Sequence, residues 1–168
     1  MSEIRLPLPE EADLLTSGNV QLCFSELFPG NVGQGLVPWY HFRVQTIDGV
    51  EAGHLNFRVG NTAHVRNVAG HIGYAIDPKH QGHGYALDAC HAVIPVVRRI
   101  YSSVILTTDP DNRASIRTIE HLGTQFLEQV QVPEGDPAWA RGKRIKLRYH
   151  WTLPAPPRSL AATLAPQK

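Results

Sequence analysis

The chain of 168 residues has no charge of one sign to speak of: sixteen basic and fifteen acidic residues leave a formal net charge of +1. That balance excludes a broad electrostatic footprint for nucleic acid or an anionic membrane, and points to a small molecule or a protein site as partner. No apolar run approaches the roughly 20 residues of a membrane span. The first residues, MSEIRLPLPEE, lack the basic, apolar and small-residue order of a secretory leader, so a cytoplasmic protein is expected. Cysteine is scarce. Cys23 and Cys90 both sit among apolar neighbours, which suits reduced, buried thiols better than a disulfide framework.

What is present fits one domain over residues 1–153, with 154–168 as a mobile tail that has little to bury. Alternating apolar residues predict strands at 19–27, 39–46 and 53–59, the last two joined by the Asp48-Gly49 turn. A helical turn is expected at 10–15, while 28–38 is too rich in glycine and proline to be anything but loop. After a polar connection at 60–69 come a strand at 71–76 and a helix at 85–99, kinked at Pro95. The run SVILTT at 103–108 reads as a buried strand parallel to the one before the helix, making a βαβ unit. A helix at 114–122 closed by Gly123, a strand at 125–132, a loop at 133–142 and a strand at 144–151 complete the order.

The stretch GHIGYAIDPKHQGHGYA, residues 70–86, carries the chemistry. A strand enters a loop bracketed by Gly82 and Gly84, and a helix starts at once, so several N–H groups converge where no Cβ stands in the way. Such a loop binds phosphate. It is not the loop of nucleotide hydrolases, which needs G-x-x-x-x-G-K-S/T. The dinucleotide pattern G-x-G-x-x-G fails too, because Leu87 stands at its third small position and no acidic residue ends the next strand.

Gln81-Gly82-His83-Gly84-Tyr85-Ala86 instead resembles the Gln/Arg-x-x-Gly-x-Gly/Ala motif of the GNAT acetyltransferase superfamily. Asn112-Arg113-Ala114-Ser115 is similar to that family's N-x-x-S/A helix start, and the order of elements from 19 to 151 matches as well. The resemblance implies an α/β fold with a mixed, mostly antiparallel central sheet, a βαβ acetyl-CoA-binding unit and flanking helices. It implies acetyl-CoA as co-substrate, its pyrophosphate held by the amides of Gly82, His83, Gly84, Tyr85 and Ala86 behind Gln81, and its pantetheine paired along Tyr74, Ala75 and Ile76. Asn112 and Ser115 would lie near the pantetheine arm or the thioester.

The implied reaction is acetyl transfer to a primary amine by direct attack in a ternary complex. In one branch of the family a glutamate ten residues before the motif glutamine acts as base; here that position is His71, a residue able to act near neutral pH. Glu51 and His54 are weaker candidates. The N–H of Ile76 would polarise the carbonyl. Many members place a proton-donating tyrosine four residues after the position of Ser115, where this chain has Ile119, so Ser115 or a water would substitute. The acceptor side looks open, because 28–38 is too short for the helices that usually cover it. A peptide or small-molecule amine would enter there, and the loops 60–69 and 133–142 or a second subunit of a homodimer would close over a small one. His80, His83, Asp88 and His91 form no complete tetrahedral set, and no metal is expected. The rival reading is a non-catalytic acyl-CoA-binding or protein-interaction module.

Overall fold

The computed structural model describes residues 6–9 and 15–156. The helical turn expected at 10–15 falls, but for Leu15, outside the described residues, as does the tail beyond 156. Five strands form an antiparallel sheet in the order β1 (Thr16–Ser17), β2 (Val20–Phe28), β3 (Trp39–Thr46), β4 (Glu51–Arg58) and β5 (Ile72–Ile76). The Asp48-Gly49 turn sets the β3–β4 register, with Gly49 at φ 85°. Phe42 then faces Leu55 and Tyr40 faces Phe57, all four fully buried. Those rings and the alternate residues Val20, Leu22 and Val44 make one apolar face, against which α1 (Tyr85–Ala92) packs Ala89 and Cys90.

The helix expected over 85–99 is divided. α1 ends at Ala92, and α2 (Ile94–Arg98) begins one residue later with Pro95 in its first turn, where a missing N–H costs nothing. A second sheet of three antiparallel strands has the order β6 (Ser103–Thr108), β8 (Ile145–Thr152), β7 (Gln125–Gln131). α3 (Arg113–His121) lies between β6 and β7. Two connections are more regular than their composition predicts. Residues 65–69 wind into a π-helical turn that buries Val65 and Val68, and α4 (Pro137–Ala140) interrupts the loop 133–142. The Asp136 carboxylate caps α4 by accepting the Ala138 N–H at 2.8 Å, with proline following it.

The main correction concerns β6. The sequence predicts it beside β5 in a parallel pair, but its ladder partner is β8, and β5 is the edge of the other sheet. The crossover through α1 and α2 therefore joins two sheets rather than two neighbours of one. His71 bonds to both. The His71 N–H donates to the Ile105 carbonyl at 2.8 Å, and its own carbonyl accepts the Arg58 N–H at 2.6 Å. Gly70 permits that approach, since a Cβ there would come within 3.0 Å of the Ile105 carbonyl oxygen. Beyond this vertex β5 and β6 diverge, and the wedge between them is where the chemistry-bearing residues collect.

Candidate active site

Two cavities of about 600 Å³ each occupy the wedge and its surroundings, and Tyr74, Asn112 and Ser115 line both. The first lies between β5, the glycine loop and α3. The Asp77 N–H pairs back to the Ala52 carbonyl of β4 at 2.8 Å, so by alternation the N–H and C=O groups of Tyr74 and Ile76 face the cavity. Gln81 folds the loop against this strand by donating from Nε2 to the Ile76 carbonyl at 3.0 Å. Gly82 and Gly84 adopt left-handed conformations, φ 84° and 75°, and a Cβ on either would meet no protein atom within 4 Å. Gly84 opens α1 without a side-chain cap, which leaves the first-turn N–H groups and the positive end of the helix dipole for a ligand.

Ala75, Ile76, Gln81, Gly82, Gly84, Tyr85 and Ala86 all line this cavity. The His83 side chain does not; its ring stacks on Tyr85 at 5.3 Å, so only its backbone belongs to the loop. Two basic side chains escaped the sequence reading, and a third, His80, was weighed there only as a metal ligand. Arg117 and His121 line the α3 wall one turn apart, and His80 Nε2 is buried there without a protein partner among the described residues. The i, i+4 spacing of Arg117 and His121 was a legible sign of one helix face.

At the junction, the Tyr74 hydroxyl and Ser115 Oγ lie 3.1 Å apart. Asn112 caps α3, its Oδ1 accepting the Ser115 N–H at 3.1 Å, and so positions the serine while standing in the gap itself. Burial holds the Tyr74 phenol well above the usual tyrosine range, against the opposing hydrogen bonds of Ser115 and Thr118. It remains protonated. Ile119 is 1 % exposed and belongs to the core, so its position does not face the gap. Cys90 lies beneath, free and pushed up to about 12 by burial, and Cys23, also free, is only partly buried, short of the buried position expected for it.

The second cavity is walled by Asn56 and Arg58 of β4, by His64, Val65 and Val68, by Gln34, Leu36 and Val37 of the 28–38 loop, and by Pro137, Ala138 and Arg141. Three loops thus cover a side that the sequence left open. His64 Nδ1 and Asp136 Oδ2, 2.6 Å apart, tie two of those loops together. Asp109 also lines the cavity, paired with Lys146 at 2.6 Å and Lys143 at 2.5 Å. Burial alone would raise its carboxyl, but the two lysines hold it below the ordinary range.

His71 is a correction. It lines neither cavity and is 4 % exposed. Nδ1 accepts the Ile105 N–H at 2.9 Å, which leaves the proton on Nε2 for Asn61 Oδ1 at 3.1 Å. The ring has no free nitrogen with which to deprotonate an acceptor. Burial pushes it below the usual histidine range. Glu51 and His54 are exposed and line neither cavity. Asp88, one of the residues weighed as a metal ligand, accepts the Asn19 N–H at 3.1 Å. Among the described residues, no group of three or more histidine, cysteine or acidic side chains could hold a metal ion, and no helix is long and apolar enough to cross a membrane.

A split sheet with a glycine loop at its edge is the architecture of the GNAT fold. The family model for the acetyltransferase (GNAT) domain matches residues 30–125, and the chain belongs to that family, whose co-substrate is acetyl-CoA. Mycobacterium smegmatis RimJ, solved with a CoA disulfide, is similar at TM-score 0.53 and 21 % identity over 75 % of this chain and 58 % of that one. RimL, a ribosomal-protein alpha-N-acetyltransferase solved with CoA, gives 0.52 and 17 % over 68 % and 62 %. The microcin self-immunity acetyltransferase MccE, solved with acetyl-CoA and AMP, gives 0.51 and 18 % over 68 % and 61 %. The chain thus spans about 60 % of the length of these relatives. No curated protein matches it in sequence.

Proposed function

We propose that residues 1–153 form a cytoplasmic N-acetyltransferase domain, which moves the acetyl group of acetyl-CoA to a primary amine by direct attack in a ternary complex. The observation that carries this reading is the meeting of two cavities at a protonated hydroxyl pair, Tyr74 and Ser115. Gly82, His83, Gly84, Tyr85 and Ala86 hold the pyrophosphate through backbone N–H groups, with Arg117, His121 and His80 as further phosphate contacts. Tyr74, Ala75 and Ile76 offer the pantetheine a free strand edge, and the Ile76 N–H donates to the thioester carbonyl, where negative charge develops. The Tyr74–Ser115 pair donates to the departing sulfur. The nitrogen gives up one proton to water, the sulfur takes one from the hydroxyl pair, and water returns a proton to that pair, so the exchange balances. No dedicated base is needed at His71: Arg58, Arg141 and Lys146 give the acceptor cavity an excess of positive charge, which favours the neutral amine over its ammonium form.

Titrating acetyl-CoA and then following free thiol with a panel of peptide and small-molecule amines tests the reading. Tight binding without amine-dependent thiol release would leave only a non-catalytic acyl-CoA-binding module, and absent binding would remove both. Tyr74→Phe is expected to lower kcat by about 10- to 100-fold, leaving the acetyl-CoA dissociation constant within about twofold. Single-turnover rates beside equilibrium titration check this, and an unchanged kcat would take Tyr74 out of the chemistry.

A further inference from the structure

The acceptor cavity holds two guanidinium groups that no carboxylate among the described residues answers. Arg58 Nη1 donates to the Ala69 and Gly70 carbonyls, each at 3.2 Å. The guanidinium lies against the backbone of Gly73, where a Cβ would come within 3.0 Å of both terminal nitrogens. Its other donors reach no protein acceptor among the described residues. Arg141, an exposed residue at the end of α4, lines the same cavity, and its side chain makes no hydrogen bond or ion pair among the described residues. The two are close enough that the charge of Arg141, added to burial, lowers the Arg58 pKa.

The surrounding charges do not cancel this pair. Among the described residues, Asp109 is the one carboxylate lining the cavity, and Lys143 and Lys146 already hold it. Asp136, behind the wall, is occupied by His64 and the Ala138 N–H. A chain of net charge +1 has therefore placed Arg58, Arg141 and Lys146 around one space with a single, already paired acid. Two guanidinium groups held near each other without a counter-charge repel, and a carboxylate or phosphate placed between them removes that cost with charge-assisted, fork-shaped hydrogen bonds.

We infer that the acceptor is an amine that also carries an anion, a carboxylate or a phosphate, which Arg58 and Arg141 hold while the amine reaches Tyr74 and Ser115. A carboxylate leaves the lining positive and a phosphate, at about −1.5 to −2, brings it close to neutral, so neither favours the ammonium form of the amine; polyamines and lysine side chains are disfavoured. The inference rests on the acetyl-transfer reading for its chemistry but not for its test.

The test compares n-propylamine, β-alanine and O-phosphoethanolamine as acceptors at saturating acetyl-CoA, with wild type, Arg141→Glu and Arg58→Lys. Turnover per KM is expected to be at least about 10-fold higher for one or both anionic amines, and Arg141→Glu to remove that preference mainly through KM. Which anionic amine leads distinguishes carboxylate from phosphate. Unaltered acetyl-CoA affinity reports that the variants are folded; the Arg58→Lys variant keeps the charge but loses the fork, and is expected to fall between the other two. Equal use of n-propylamine, or an Arg141→Glu variant that keeps the preference, overturns the inference while leaving acetyl transfer standing. If no amine releases thiol, titration of glutarate and of inorganic phosphate into CoA-saturated protein decides it. Binding that Arg141→Glu abolishes supports the site, and absence of binding removes it.

Discussion

Replacing His71 with alanine is expected to lower the unfolding free energy by about 2–4 kcal/mol, the cost of an emptied buried site together with an unpaired Ile105 N–H. The residue is 4 % exposed, and its ring and backbone both bond Ile105 across the gap between the sheets, so the loss falls on a contact that joins them. Denaturant titration measures it. A second consequence separates this role from that of a base. Burial depresses the His71 pKa in the folded protein, whereas the unfolded chain titrates near the ordinary 6.5. The unfolded state thus binds more protons below that value. Stability is therefore full above pH 6.5 and declines as pH falls through it toward the folded value. His71→Ala should flatten most of that decline; His54, shifted the same way by burial and by His41, supplies a slope that survives. The rate per folded molecule should keep its pH profile. A profile that lost its acidic limb in the variant would restore His71 to the chemistry.

Valine in place of Gly84 should act on the ligand more than on the fold. The residue sits at φ 75°, where a β-branched side chain costs about 1–2 kcal/mol, and a Cβ there meets no protein atom within 4 Å. The empty protein therefore loses only the backbone strain. With acetyl-CoA the side chain occupies the space that the amides of the loop leave for a pyrophosphate, and affinity is expected to fall about 100-fold, or roughly 2.7 kcal/mol. Calorimetric titration and a melting curve separate the two effects. An unchanged dissociation constant would mean that the phosphate lies elsewhere.

The donor half of the site was legible because its chemistry is local. Gly82, Gly84 and the helix behind them are contiguous, and Asn112 with Ser115 forms a cap whose spacing is its own signature. The strands of the larger sheet were readable for the same reason, with alternation and the Asp48-Gly49 turn fixing faces and register. His71 misled because its partners, Asn61 and Ile105, lie ten and 34 positions away, and nothing in the strand pattern reports a ring used as a rivet. The run SVILTT suggested burial on both faces, whereas only its alternate residues Val104, Leu106 and Thr108 are buried, and nothing in it told that its ladder partner would be β8. The acceptor half comes from four separate segments. Val65 and Val68 lie at helical spacing too short to stand out, while the Asp136-Pro137 start of α4 was hidden in a stretch dominated by loop residues.

Tyr74, Asn112 and Ser115, shared by the two cavities, also define how a single long molecule would sit in this protein. A CoA thioether whose sulfur carries a short anionic arm would thread the gap and occupy both ends at once. Its second half would bind as an intramolecular event, at an effective concentration in the millimolar range rather than that of free acceptor. Such a tether is also a ruler. The arm length giving the tightest complex measures the span from the sulfur to the guanidinium pair, and with it the size of the proposed amine acceptor.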